Sequence, residues 1–186
     1  MSNFSIALFF HIVGALGVSV ALGLEWIGLF QIRRATVPQE IRAILKVVSS
    51  TTRFGFASML ATVITGIYMV MAAVGWVPWL LVVIGALVLV IVLTRALTAP
   101  RLAAIGQALA VERESVSQSF HSLMQDPILW ISIQTRVAII LAIILLKIAT
   151  PGLGASLLTV GVAIVLGILS ALPMRRPLQA YEGSTH

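Results

Sequence analysis

Five long apolar runs, separated by stretches that hold most of the charge, constrain this chain more than any other feature. They extend over residues 6–32, 54–74, 78–97, 128–149 and 154–172. Inside hydrocarbon no water is present to bond the backbone, so a spanning segment must be a helix or part of a closed barrel. Barrel strands run to about 9–11 residues and alternate in polarity. These runs are longer and do not alternate, which predicts an all-α polytopic bundle of five transmembrane helices. Only 10% of the 186 residues are charged, against about 25% in soluble domains. Residues 1–186 are expected to form a single integral membrane domain, with the lipid bilayer as its first partner. No basic residue precedes the first run and no small-x-small cleavage site follows it, so it reads as a retained span rather than a signal peptide.

Gly75-Trp76-Val77 joins the second and third runs, and Thr150-Pro151-Gly152-Leu153 joins the fourth and fifth. Both turns use helix-breaking residues, so each pair is expected to be an antiparallel hairpin. Arg33, Arg34, Arg42, Lys46 and Arg53 follow the first run. Arg95 lies at the end of the third, Arg101 and Arg113 follow it, and Arg175 and Arg176 lie in the tail. Lysine and arginine gather on the cytoplasmic side of membrane proteins, which predicts the N-terminus outside and the C-terminus cytoplasmic. Lys147 departs from this pattern and is expected to snorkel outward. The same rule accounts for the net charge of +6 without a nucleic acid partner. No cysteine is present, which excludes thiolate metal sites and thiol nucleophiles.

The two basic connections are amphipathic. Thr36-Val37-Pro38-Gln39 reads as a capped helix start, and Ile41, Ile44, Leu45 and Val48 follow at helical spacing. Leu102, Ile105, Leu109, Val116, Phe120 and Leu123 recur in the second connection, around Arg113 and Glu114. These cytoplasmic helices are expected to lie on the inner surface or to extend a span.

The first run carries a polar stripe. His11 and Glu25 share a seven-residue spacing with Val18, and Gly14, Ala21 and Gly28 repeat three residues out of phase. Such a stripe faces a neighbouring helix, with small residues permitting close backbone approach. Glu25 sits about 10 Å inward from Ile32, and Arg136 about 12 Å inward from Ile128, at 1.5 Å rise per residue. The matching depth predicts a Glu25–Arg136 ion pair, with Ser132, Gln134 or Thr135 in support and Arg53 as the rival partner. Such a pair is either a structural pin or part of an ion path.

His11 is the candidate metal ligand, as one axial ligand of haem b. His121 lies in a connection and His186 ends the tail. A second axial ligand would therefore come from Met59, Met69 or Met71, or from His11 of another copy. By depth, Thr65 and Tyr68 form a small polar pocket with His11, and hydrogen bonds between helices are the alternative use of such residues. The third run, nearly all Leu, Val and Ile, is expected to be peripheral and to face lipid. Thr159, Ala163 and Gly167 form a small-residue seam for a neighbouring helix or a second copy. There is no phosphate-binding glycine loop, zinc-binding histidine pair or Ser–His–Asp set at compatible depths.

The stretches Phe10-His11-Ile12-Val13-Gly14-Ala15 and Thr62-x-x-Thr65-Gly66-x-Tyr68 resemble the first two spans of a bacterial integral-membrane family, domain of unknown function 2269. The resemblance covers about the first 75 residues and implies a multi-pass protein of the bacterial cytoplasmic (inner) membrane. The early histidine is also similar to that of the small haem-associated bundles of the HemJ and CopD types, which implies haem through His11. Three functions follow as expectations. The first is a non-enzymatic bundle, acting as an accessory subunit of a membrane complex. The second is a haem-b redox or sensing protein. The third is a homo-oligomeric channel or carrier along the Glu25 and Thr65 seam.

Overall fold

The computed structural model describes residues 2–111 and 118–172. Arg113, Glu114, Val116, Arg175, Arg176 and His186 lie outside the described residues. Five helices are long and apolar enough to cross a membrane, and the described fold is an all-α bundle. Helix α1 (Asn3–Arg34) begins at Ser2, whose hydroxyl accepts the Ser5 amide at 3.2 Å. Helix α2 (Pro38–Met69) runs on into a π-helical segment, Val70–Val74, and stops at Gly75, whose φ of 72° suits a residue without Cβ. The cap of α2 is Val37 rather than Thr36, and it makes no side-chain bond. Pro38 takes the first helical position, where its missing N–H costs nothing.

Helix α3 (Pro78–Val92) passes through a π-helical segment, Leu93–Thr98, into α4 (Ala99–Val111). After α5 (Gln118–Met124), Asp126 caps α6 (Pro127–Ala149) by accepting the Ile128 amide at 2.8 Å. Its other oxygen takes the Arg101 Nε–H at 2.7 Å. Thr150, in the left-handed conformation at φ 43°, ends α6 ahead of α7 (Leu153–Ala171). The basic connections therefore extend the spans rather than lying flat. At 1.5 Å per residue, the 32 residues of α1 are about 48 Å long against a hydrocarbon thickness of about 30 Å.

Small residues set the closest packing. A Cβ on Gly14 would lie 2.8 Å from the Ser58 carbonyl oxygen, and one on Gly28 would lie 2.6 Å from Val48. Ala21 meets Gly55 between them. The stripe on α1 therefore faces α2. Gly167 seats α7 on α6, where a Cβ would come within 2.5 Å of the Thr135 Cα. Ala163 beside it is buried, while Thr159 is half-buried and bonds its own Ala155 carbonyl.

Two cores result. One lies within the span region and joins Leu22, Val83, Ala86, Val90, Ile139, Ile143 and Val160. The third span is therefore not wholly peripheral: Val82, Val83, Ala86 and Val90 are buried, and Leu81 and Val88 face outward. The second core lies at the basic end, where Leu29, Ile41, Ile105, Phe120, Leu129 and Trp130 close the helix extensions together. Trp130 donates its indole N–H to the Met124 carbonyl at 3.2 Å.

Candidate functional site

Glu25 and Arg136 meet inside the bundle. Arg136 donates from Nη2 to Oε1 at 2.7 Å and from Nη1 to Oε2 at 3.1 Å, with side chains 2% and 7% exposed respectively. This two-pronged geometry suits a planar guanidinium and a carboxylate. The third group is Thr94, whose hydroxyl accepts from Nη1 at 3.3 Å and donates to its own Val90 carbonyl at 2.7 Å. Thr94 comes from the π-helical segment, where one extra residue per turn reorients side chains. The expected helpers, Ser132, Gln134 and Thr135, do not bond the pair. Ser132 bonds Thr98 at 2.9 Å, and the Thr135 hydroxyl has no partner among the described residues. Arg53 does not reach Glu25; it stands exposed at the edge of the neighbouring cavity.

A second polar centre lies toward the two short turns. The Nδ1 of His11 is 2.8 Å from the Thr62 carbonyl oxygen. A carbonyl only accepts, so Nδ1 carries the proton. The Thr65 hydroxyl donates to the Ala61 carbonyl at 2.6 Å and takes a weaker share of the Nδ1–H at 3.3 Å. Nε2 is then the free acceptor, and it is occupied by the Lys147 amine. Gly66 makes room for the ring, since a Cβ there would meet Cε1 at 3.1 Å.

Lys147 therefore does not snorkel outward. It is half-buried and turned inward, and its only partner among the described residues is His11. Tyr68 does not join this centre and is 41% exposed. It lies two residues past Gly66, about 200° around the helix from it. Depth matched it to His11, but direction did not.

His11 and Lys147 cap a cavity of about 210 Å³ whose remaining wall is mostly apolar, with Met59, Ile67, Trp79, Val83, Ile84 and Ile143 beside Ser19 and Thr62. It opens where α2 and α3 part. The α2 helix packs on α1 and α4, and α3 packs on α6 and α7. The small face of α2 is used up against α1, leaving Met59, Val63 and Ile67 toward α3. The second and third spans are thus antiparallel but do not close on one another. Farther along the same cleft a cavity of about 380 Å³ lies between Arg53, Phe56, Met59, Val90, Ile91 and Arg95, with Glu25 and Arg136 also on its wall.

The residues do not fit an axial haem site as they stand. The Nδ1-bonded tautomer is the one that metal-ligating histidines use, but Nε2 faces an amine that would oppose a metal cation. The cavity also falls short of the about 300 Å³ at which pockets for drug-sized ligands begin. Met59 and Met69 line it, while Met71 is 79% exposed. No cluster of three metal-ligating side chains occurs among the described residues. In comparisons with family models, curated proteins and solved structures, the chain matches none.

Proposed function

We propose that this chain is a non-enzymatic binding protein of the bacterial cytoplasmic membrane. It takes up a lipophilic molecule with an anionic head from the bilayer, between α2 and α3. The observation that carries this reading is Lys147: an inward-facing amine at the head of an apolar cavity, bonded to a neutral imidazole and, among the described residues, to no carboxylate. A charge held away from water without a counter-ion is costly. A long-chain carboxylate relieves that cost: its head accepts the two remaining N–H bonds of the ammonium, the near part of its chain lies in the apolar cavity, and the rest reaches lipid through the opening between α2 and α3. Alkyl surface gains nothing by leaving lipid, so the head group supplies the selectivity. The outer placement of this cavity rests on the positive-inside rule, with the N-terminus outside. Glu25 and Arg136 serve as the pin that holds α1 to α6.

Native mass spectrometry in mild detergent tests the reading. The wild type should retain a long-chain fatty acid about tenfold better than the alcohol of the same length, given the strength of hydrogen bonds to charged groups. Lys147→Met should abolish the difference. Equal retention of acid and alcohol by the wild type, or undiminished acid on Lys147→Met, would overturn the reading.

A further inference from the structure

The other end of the α2–α3 cleft has a different chemistry. Arg53 from α2 and Arg95 from the π-helical segment stand on opposite sides of its mouth, both exposed. Neither has an acceptor among the described residues. Among the described residues the one carboxylate on the cavity wall is Glu25, already neutralised by Arg136. The mouth therefore carries two positive charges that no carboxylate among the described residues neutralises. Behind them Phe56, Met59, Val90 and Ile91 form an apolar wall, and Arg136, 2% exposed, keeps an Nε with no partner among the described residues.

Depth decides what meets those charges. Trp76 and Trp79, next to the short turn, mark one membrane interface. His11 lies against Gly66 on α2, so that interface falls near the start of α1. Hydrocarbon about 30 Å thick takes up about 20 helical residues, which brings the far interface close to Glu25. Gly55 touches Ala21, so Arg53 stands at this same level, where lipid phosphates lie.

We infer that Arg53 and Arg95 clamp the phosphate of an anionic phospholipid of the basic-end leaflet, with one acyl chain laid into the cleft along Phe56, Met59 and Ile91. Guanidinium groups bind phosphate oxygens in pairs, so two from different helices make a clamp that also ties α2 to α3. Its head-group site is separate from that at Lys147, although the two cavities share Met59, and either stands without the other. Each arginine near an anionic headgroup is expected to contribute about a fivefold preference over a zwitterionic lipid.

The test is native mass spectrometry of the full chain released from vesicles of equal phosphatidylglycerol and phosphatidylcholine. The wild type should carry phosphatidylglycerol selectively, and millimolar inorganic phosphate should not displace it, since the acyl chain is part of the site. Arg53→Gln with Arg95→Gln should lose the preference. Arg34→Gln with Lys46→Gln removes the same charge outside the cleft and should keep it. Ile91→Trp, which fills the groove without touching charge, should also lower retention. Loss of preference in both charge pairs alike would reduce the effect to surface electrostatics and overturn the clamp. So would equal binding of the two lipids by the wild type, or displacement by free phosphate.

Discussion

Arg136 and Glu25, 111 residues apart in sequence, are joined by two hydrogen bonds of 2.7 and 3.1 Å in a nearly water-free setting. The pair links α1 to α6, the two helices around which the others are arranged. Removing one partner of such a pair leaves a buried charge alone, at a cost of about 3–5 kcal/mol. Glu25→Leu or Arg136→Leu alone should therefore sharply lower the thermal stability of the detergent-solubilised protein. The double Leu variant should recover most of the loss, because two apolar side chains leave nothing uncompensated. A double variant as unstable as the worse single one would show that the pair has another role.

Gly14 and Gly167 bring backbones together, and Gly161 does not. A Cβ on Gly14 or Gly167 would press on backbone atoms at 2.8 Å or less, whereas Gly161 has nothing within 4 Å. Gly14→Val and Gly167→Val should each cost about 1–3 kcal/mol or more by overpacking. Gly161→Ala should be neutral or slightly stabilising, since alanine is the better helix former. Thermal unfolding followed by size-exclusion chromatography reads all three. An unchanged melting temperature in Gly14→Val would contradict the α1–α2 interface.

The absence of cysteine makes orientation simple to measure. Trp76→Cys should react with a membrane-impermeant maleimide on intact cells. Gln39→Cys should react only after permeabilisation. The reverse pattern would turn the molecule over, and the Lys147 cavity would then open to the inner leaflet.

Haem should not bind the wild type. The Nε2 of His11 is engaged by Lys147, so protein expressed with added haem should show no Soret band. A band that disappears in His11→Ala would contradict this and would require Lys147 to move away.

Much of this architecture can be read from the residues alone. The cost of burying Glu25 demanded a partner, and helical rise matched it in depth to Arg136. Thr94 could not be foreseen, because it reaches the pair only through a π-helical segment that no spacing rule marks. Lys147 was misread for a general reason: lysines near span ends usually turn toward water, and this one has an imidazole acceptor on another helix. The signal was present in its depth, since Lys147 and His11 both lie near the end of the bundle that carries the two short turns. Tyr68 shows the converse: it lies at the depth of His11, but its angle around α2 turns it out of the pocket. The parted α2–α3 hairpin was likewise hidden, because a short turn fixes antiparallel direction but not packing.

The central claim is that an amphiphile enters between α2 and α3 and places its head on Lys147. The most direct measurement is photo-crosslinking in liposomes with a fatty acid carrying a diazirine midway along its chain, mapped by peptide mass spectrometry. The account predicts labels on Met59, Ile67, Ile84 and Leu87, which line the cavity, and their loss in Lys147→Met. Labels of equal intensity on Leu158 and Leu166 of α7, which face outward, with no response to Lys147→Met, would contradict it.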